Sequence, residues 1–307
     1  MSAAISGLPE GVVVLERGWL SSNNVVIRGS ESAALVDSGY ATHAEQTVTL
    51  VQTALRGLPL TLLVNTHLHS DHCGGNSALR RAFPDTLICI PPGLATAVRS
   101  WDTAALTYSA TGQTCPPFTF DRVVTPGECL RLGDLDWEVH AAPGHDPHSV
   151  ILFEPMSRCL LSADALWENG FGIVFPELEG VAAFDEVART LDVIERLSPR
   201  VIVPGHGAVF HDVPGAVARA RSRLDAYVAS PARHAGHASK VLLKFKLLEW
   251  QRIDLRDYLA WAGTTSYFGM VHERYFADVP LELWIRGLID DLTRSGAARI
   301  EGSIVSN

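Results

Sequence analysis

The chain has 307 residues, of which 47% are hydrophobic and 19% are charged, and this composition excludes an intrinsically disordered protein. The formal net charge of -9 excludes a strongly basic surface that would bind a phosphate backbone, so we expect no nucleic-acid partner. No apolar run reaches the roughly 18–20 residues needed to span a bilayer, so we also expect no membrane-spanning helix.

Short apolar segments bounded by turn-forming residues predict β-strands through the first two-thirds of the chain. In chain order the predicted strands are Gly11–Glu16, Asn24–Arg28, Ala33–Val36, Leu60–Val64, Leu87–Ile90, Cys129–Leu132, Trp137–His140, Ser149–Phe153, Cys159–Leu161 and Arg200–Val203. Apolar residues at helical spacing predict helices over His43–Arg56, Asn76–Ala82 and Phe184–Leu197. The alternation of strands and helices indicates an α/β fold.

Two further regions differ from this pattern. Residues 91–122 are rich in proline and aromatic residues, which predicts an insertion near the functional site. Beyond residue 212 the strand pattern fades, and the spacing predicts helices over Pro214–Ala229, Lys240–Trp250, Leu255–Ala262 and Leu281–Ser295, followed by a short strand over Ala298–Ile300. We therefore predict a catalytic domain over 1–212 and a helical C-terminal region over 213–307, which acts as a lid or dimerisation region.

The cysteines and the N-terminus indicate the compartment. There are five cysteines, an odd number, with no CxxC pair, which is typical of a reducing environment. The first ten residues lack the basic and apolar regions of a signal peptide, so we expect a cytoplasmic protein. Arginine outnumbers lysine and alanine is abundant, a usage that indicates a GC-rich bacterial genome.

One short segment concentrates side chains that bind metals. His67, His69, Asp71 and His72 lie within six residues, directly after the predicted strand Leu60–Val64. Alternate residues of an extended segment point the same way, so His67 and His69 can share one metal. Asp71 and His72 follow as the chain turns and can face a neighbouring ion. Histidine and aspartate supply the nitrogen and oxygen ligands that zinc prefers.

Three later residues of the same kind follow other predicted strands. They are His145 in Pro143–Asp146, Asp164 in Ser162–Asp164, and His206 in Pro204–Gly207. Strand ends converge on one edge of an α/β sandwich, where ligand sites form, so we expect these side chains to meet the histidine segment.

The H-x-H-x-D-H segment with a downstream His, Asp and His resembles the metallo-β-lactamase-fold superfamily, which includes glyoxalase II, lactonases, sulfur dioxygenases and several nucleases. The resemblance covers about residues 10–210. It implies a four-layer αβ/βα sandwich with the site at the edge between two sheets. The C-terminal helices and the segment after them resemble a winged-helix-like extension.

The resemblance also implies residue roles. His67, His69 and His145 would bind one metal, Asp71, His72 and His206 the second, and Asp164 would bridge them. The implied cofactor is two zinc ions, with iron or manganese as alternatives. Asp37 matches a family aspartate that braces the histidine loop, although it can equally be a simple turn residue. Thr66 is a candidate hydrogen-bonding partner behind the ligands.

The segment after His145 departs from the Gly-His-Thr-Pro-Gly common in the family, because Asp146 and His148 stand there. We expect both to brace the loop, the alternative being contact with the substrate or proton donation. Cys73, next to His72, is expected to pack rather than to bind metal.

The implied activity is metal-dependent hydrolysis of a thioester, lactone or other ester of a small molecule. A hydroxide shared by the metals would attack the carbonyl carbon, and Asp71 would orient it.

An aspartate at 164, where exported β-lactamases use a cysteine ligand, argues against antibiotic cleavage. Alternatives are an iron-dependent sulfur dioxygenase and, less favoured, a nuclease or a non-catalytic binding protein. Residues 91–122 and the C-terminal helices are expected to cover the pocket. Trp101, Tyr108, Phe118 and Phe171 are candidate apolar walls, although core packing is the favoured interpretation of each. A homodimer is a further possibility.

Overall fold

Two β-sheets form the centre of the protein in the computed structural model, which describes residues 7–307. The first sheet has six strands in sequence order, β1 (Val12–Leu15), β2 (Asn24–Arg28), β3 (Ala33–Val36), β4 (Leu60–Val64), β5 (Leu87–Ile90) and β6 (Arg122–Val123). The second sheet comprises β7 (Cys129–Leu132), β8 (Leu135–Ala141), β9 (Val150–Glu154), β10 (Cys159–Ala163) and β11 (Val201–Pro204), in the order β11-β10-β9-β8-β7. All ten predicted strands are confirmed, with ends shifted by at most two residues.

The alternation of side chains along each strand builds the layers. In β2, Val25 and Ile27 pack between the two sheets with Trp137 of β8, whereas Val26 packs on the outer face. The same division holds in β9, where Ile151 points outward and Leu152 inward. Both faces of each sheet are therefore apolar, and both need a covering layer.

Helices cover both outer faces. They are α1 (Ala44–Leu55), α2 (Ser70–Cys73), α3 (Asn76–Ala82), α4 (Ala95–Ser100) and α5 (Tyr108–Thr111) on the first sheet, then α6 (Phe175–Glu179), α7 (Phe184–Leu197) and α8 (Val213–Ala229) on the side of the second. Val51 of α1 and Leu79 of α3 join the outer core of the first sheet. Leu191 of α7 and Val217 of α8 join that of the second. This confirms the four-layer αβ/βα sandwich.

The C-terminal region has its own apolar core. It contains α9 (Pro231–Trp250), β12 (Arg252–Asp254), α10 (Leu255–Thr264), α11 (Ser266–Tyr275), α12 (Leu281–Arg294), β13 (Arg299–Glu301) and β14 (Ile304–Ser306). The three strands pair in the order β12-β14-β13, and their one fully buried side chain, Val305, packs with the helices. A helical extension is confirmed, and β13 and β14 form an antiparallel hairpin after its last helix.

Three details of the region after residue 212 differ from expectation. The helix predicted from Lys240 begins at Pro231, because proline is well tolerated in a first helical turn. Helix α11 was not predicted at all. Helix α8 packs against the second sheet through Val213, Ala216 and Val217, so the first part of the predicted 213–307 region belongs to the sandwich core.

Residues 91–122, predicted as an insertion, pack into the core of the first sheet. Helices α4 and α5 lie in this stretch, and Val98, Leu106, Tyr108 and Phe118 are all buried in the core of the first sheet. Their packing explains the high aromatic content of the segment. All five cysteines are free thiols, and only Cys129 is exposed. Within residues 7–307, no helix combines the length and the apolar character needed to cross a membrane.

Candidate metal centre

The strands position the predicted site residues at one edge of the two sheets. Strands β3 and β4 are parallel, and Asp37 and His67 come after their carboxyl ends. Strands β10 and β11 are also parallel, and Asp164 and His206 come after theirs. His145 follows β8, which runs in the same direction as β10 because both are antiparallel to β9. Parallel strand ends meet at one sheet edge, and this explains why residues so distant in sequence converge.

The backbone before Asp164 is unusual. The pairing of β10 with β11 shifts register between Leu161 and Ala163, and Ala163 has a φ of 45°. A left-handed conformation is costly for a residue with a side chain, and such strain concentrates at functional sites. The bulge turns the chain so that the Asp164 carboxylate faces the histidines.

Two glycines come directly after the histidine segment and Cys73. Gly74 and Gly75 have ordinary right-handed φ values of -62° and -85°. The two glycines instead allow the backbone after β3 to lie directly against them. A Cβ on Gly74 would lie 2.6 Å from the backbone nitrogen of Ala41, and a Cβ on Gly75 would overlap the backbone of Ser38. The loops after β3 and β4 can therefore pack together and position Asp37 beneath His72.

The seven predicted ligands form two adjoining groups. Candidate ligand atoms of His67, His69 and His145 all lie within 4.8 Å of one another, and so do those of the second group, Asp71, His72, Asp164 and His206. Nδ1 of His69 is 2.8 Å from Nε2 of His145. In the second group, Nε2 of His206 is 3.0 Å from Oδ2 of Asp71. The arrangement matches the division that the resemblance implies.

Partners behind the histidines fix which ring nitrogen faces the centre. Nδ1 of His145 donates to the carbonyl oxygen of Ile173 at 2.5 Å, so its Nε2 turns toward the cluster without a proton. Nδ1 of His72 lies 2.7 Å from the Asp37 carboxylate, so its Nε2 also faces the cluster. Burial lowers the pKa of His72, but Asp37, Asp164 and Asp71 outweigh burial and raise it well above the usual value, so a cation binding there would displace the proton from Nε2. This pattern is typical of metal-binding histidines.

Asp37 has three contacts at the base of the loop. Its carboxylate accepts hydrogen bonds from the backbone N–H of Thr66 and from the Thr66 hydroxyl, both at 2.8 Å, besides its contact with His72. Asp37 is only 3% exposed and has a φ of 58°. Of the two interpretations of this residue, the structure therefore supports bracing of the histidine loop, with Thr66 as the intermediary.

Two buried ring nitrogens of the histidine segment lack a hydrogen-bond partner. Nε2 of His67 and Nε2 of His72 are inaccessible to solvent and have no hydrogen-bond partner among the residues that the structure describes. A buried polar atom without a partner costs free energy, and an ion is one way of satisfying it. Because both atoms face the clustered ligands, the residues present fit bound metal ions.

The protonation of the cluster suits cations. Burial, together with the neighbouring histidines, holds the pKa of His67 well below its usual value, and burial next to His145 lowers the pKa of His69 to about 4. Both imidazoles are therefore neutral near pH 7, the form that binds metal. Burial raises the pKa of Asp164, but His72 and His206 outweigh this, and the net result is a pKa well below the ordinary value. Asp164 is thus ionised.

The residues after His145 have local contacts. The Asp146 carboxylate accepts the backbone N–H of His148 at 2.7 Å, and its other oxygen lies 3.9 Å from Nε2 of His69. The His148 ring lies against Gly93, where a Cβ would overlap it. These contacts favour the bracing role expected for both residues. Cys73 packs in the core against Tyr108 and Cys115, as expected.

A small cavity of about 80 Å³ opens beside the two groups. Thr107, Thr111 and Gln113 line it from the 91–122 stretch, and Val241, Leu242 and Phe245 line it from α9, so both regions cover the site as predicted. Core packing, the favoured interpretation of the four candidate aromatic residues, is confirmed, because Trp101, Tyr108 and Phe118 lie in the core of the first sheet and Phe171 in that of the second.

The aromatic walls are instead Trp19, Trp167, Phe175 and Phe245. Trp19 stacks on the His206 ring, with centroids 5.5 Å apart, although its side chain is 58% exposed. Trp167 follows Asp164 by three residues, which is a sequence signal that could have identified it. No local signal marks Trp19 or Phe245, because only the tertiary fold brings them to the site.

Two glycines test the metal assignment. A Cβ on Gly172 would overlap the His145 ring, and a Cβ on Gly205 would overlap the Asp164 carboxylate. We expect Gly172→Ala to lose metal from the three-histidine group and Gly205→Ala to lower the occupancy of both groups, because Asp164 lies between them. Gly263→Ala in α10 meets open space, so it should retain full metal content and gain about 0.5–1 kcal/mol of stability. Plasma mass spectrometry of the three variants measures the content, and full loading of both site variants would contradict the assignment.

Comparison with known proteins agrees with this geometry. Residues 17–206 match the sequence profile of the metallo-beta-lactamase superfamily. The chain is 26% identical to the type A flavoprotein fprA of Rhodobacter capsulatus over 66% of its own length and 48% of that protein. It is 29% identical to a hydroxyacylglutathione hydrolase of Jannaschia sp. over 51% of its length and 52% of that protein. The chain thus spans about half the length of the curated relatives it matches.

Solved structures resemble the whole chain. A beta-lactamase domain protein from Burkholderia ambifaria superposes with a TM-score of 0.59 at 20% identity, covering 98% of this chain and 93% of that one. A metallo-beta-lactamase family protein from Thermus thermophilus does so with a TM-score of 0.57 at 18% identity, covering 96% and 97%. These likenesses show the fold, including the C-terminal region. Because the family profile spans more than half of the 307 residues, the chain belongs to the metallo-beta-lactamase superfamily.

Proposed function

We propose that the protein binds two divalent cations, with zinc as the first choice, and hydrolyses a thioester, lactone or other activated ester of a small molecule. The position of Asp164 is the observation that carries this proposal. One of its carboxylate oxygens lies 3.4 Å from Nε2 of His72, and the other lies 3.4 Å from Nε2 of His145 and 3.8 Å from Nε2 of His206. A single side chain therefore reaches both groups, which suits a dinuclear centre.

The ligand roles follow from this placement. His67, His69 and His145 would hold one cation, and Asp71, His72 and His206 the other, with Asp164 between them. Bound cations would supply Lewis acidity and lower the pKa of water toward about 7. Asp71 lines the cavity, and His72 and His206 offset the effect of burial so that its pKa is lowered. As an ionised acceptor, Asp71 would orient the attacking water toward the substrate carbonyl.

The cavity favours an ester over a phosphodiester. No arginine or lysine of residues 7–307 lines the space beside the two groups, whose walls are mostly apolar apart from the ligands. A nuclease has to stabilise negative charge on phosphate oxygens, for which it commonly uses cationic side chains. A carbonyl substrate needs no such residue, because its charge develops on one oxygen only.

An iron-dependent oxidoreductase is the second candidate, and what favours an oxidoreductase is the 24% identity to a nitric oxide reductase of Moorella thermoacetica. A mononuclear iron site would use one histidine group and leave Asp71, His72 and His206 without a function. Nε2 of His72, whose contact with Asp164 is a long 3.4 Å, would then face no cation. For this reason we favour the dinuclear hydrolase.

The test compares activities in one protein preparation. Metal-free protein, reloaded with zinc, iron or manganese, is assayed against a nitrophenyl ester, a simple thioester and a lactone, and for oxygen uptake with a persulfide. We expect zinc to restore hydrolysis of at least one carbonyl substrate and a chelator to remove it. Oxygen uptake with iron, and no hydrolysis with any metal, would replace this proposal with the oxidoreductase.

A further inference from the structure

A large open groove lies on the C-terminal side of the molecule, between α8, α9 and α12. Its volume is about 980 Å³, and its lining includes five cationic side chains and one carboxylate, Asp291. The cations are Arg219, Arg223, Arg233, Lys240 and Arg294. In a chain with a net charge of -9, this is a local reversal of sign, and such a concave basic surface attracts anions.

Two of these cations are free to bind a ligand. Lys240 and Arg294 pair with Asp291, and Arg219 lies 3.4 Å from Asp212. By contrast, no carboxylate of residues 7–307 lies within 4.0 Å of the Arg223 or Arg233 guanidinium. Arg233 is exposed and Arg223 is half-buried. Guanidinium groups without a carboxylate partner suit phosphate, to which arginine binds with two parallel hydrogen bonds.

The groove also offers exposed apolar surface. Val279 and Leu283 line it and are 44% and 64% exposed, next to the stacked rings of Phe276 and Trp284. Cationic groups next to apolar and aromatic surface match a ligand that combines phosphates with a flat heterocycle. The volume lies at the upper end of the range for small-molecule sites, so one nucleotide-sized ligand fits it.

The groove adjoins the metal centre through a third cavity of about 370 Å³. This middle cavity shares Arg223 and His237 with the groove, and it shares Trp19, Trp167 and His206 with the cavity beside the metal ligands. The Arg223 guanidinium packs on Gly170, in the turn that carries Trp167. Three adjoining cavities thus lead from the ligands past two tryptophans to the basic groove.

From this arrangement we propose that the substrate is a short-chain acyl thioester of a phosphorylated, nucleotide-bearing thiol, of which coenzyme A is the type. The inference rests on the proposed hydrolase function. The acyl group would occupy the small cavity, whose 80 Å³ equals the volume of roughly three water molecules. The thiol arm would lie along Trp19 and Trp167, and the phosphates would bind Arg223 and Arg233.

The reaction balances as a simple hydrolysis. The oxygen of one water forms the new bond to the carbonyl carbon, and the carbon–sulfur bond breaks. The sulfur leaves with the bonding electron pair and takes one proton of the water. The second proton is released to solvent as the carboxylic acid ionises, so that the products are a carboxylate and a free thiol.

The binding test uses adenosine 3′,5′-bisphosphate, which carries the adenine, the 3′-phosphate and one of the two 5′-phosphates of coenzyme A but no thiol that could reach a metal. Calorimetry on the zinc-loaded chain should show binding. Arg233→Glu, at an exposed position, and the double variant Arg223→Glu/Arg233→Glu should weaken binding at least about tenfold, because each reversal repels phosphate. Arg131→Glu, a matched charge change on an exposed residue of β7 outside the groove, should leave binding unchanged.

The activity test compares acetyl coenzyme A with S-acetyl-N-acetylcysteamine, which has the same thioester but no nucleotide. We expect kcat/KM to be at least about tenfold higher for the coenzyme A thioester, and the advantage to disappear in the double variant while the short thioester is unaffected. If both thioesters react equally and the bisphosphate does not bind, the inference is wrong but the hydrolase stands. If the bisphosphate binds in the groove but neither thioester reacts, the inference is wrong as well, and the hydrolase proposal fails only if the nitrophenyl ester and the lactone are not cleaved either. Tight binding of a ten-nucleotide RNA without binding of the bisphosphate would assign the groove to a nucleic-acid strand instead.

Discussion

Replacing Asp164 with asparagine should lower turnover at least about 100-fold and reduce the metal content below that of the unaltered chain. Asparagine keeps the volume of the side chain but removes the negative charge that faces His72, His145 and His206. Because Asp164 lies between both groups, its loss should affect two cations rather than one. His69→Ala should abolish turnover as well, through the three-histidine group alone.

The measurements are kcat/KM and metal content on the same samples. Asp85→Asn is the matched control, since Asp85 is exposed and outside the site, and it should retain full activity and metal. Circular dichroism checks that each variant is folded. An Asp164→Asn protein with near-full turnover after loss of its metals would show that the reaction does not depend on this centre.

Asp37→Asn should have the next largest effect, although Asp37 is not among the proposed ligands. The carboxylate accepts three contacts from donors, and an amide can accept only with its oxygen, so its NH2 group would oppose a donor of Thr66 or His72. We expect metal affinity to fall about 10–100-fold and the metal-free protein to lose about 1–3 kcal/mol of stability. Asparagine tolerates the positive φ of this position, so the backbone should be unchanged.

Competition with a chelator measures the affinity, and urea unfolding measures the stability. Asp121→Asn provides the control, because Asp121 also accepts a backbone N–H and pairs with an arginine, but far from the cluster. It should change stability without changing metal affinity. Equal affinity in Asp37→Asn and the unaltered chain would mean that Asp37 is only a turn residue.

The sandwich and the seven clustered side chains were predictable because both depend on local signals. The strands are short apolar runs bounded by turn residues, and each clustered residue directly follows a strand. Parallel pairing then brings Asp37 and His67, and likewise Asp164 and His206, to the same edge without further information. The hydrogen-bond partners that fix the histidine tautomers could not be predicted from the sequence. The Ile173 carbonyl that accepts from His145, for example, has no sequence signature.

Features that depend on contacts between distant segments were missed. Trp19 and Phe245 were not predicted at the pocket, and Phe245 reaches it because α9 crosses it. The first half of α9 lacks a strong apolar stripe, and its helical state depends on packing against α8 and α12. The basic groove is another such feature, because its free arginines lie on α8 and α9 and its apolar surface lies on and just before α12.

The metal content of the unaltered protein tests the central claim most directly. Protein purified without chelator is analysed by plasma mass spectrometry, and the metals are counted per chain. The dinuclear centre around Asp164 predicts close to two zinc ions per chain, both lost on dialysis against a chelator and both regained on adding zinc. About one iron with little zinc, or no metal even after reconstitution, would contradict it.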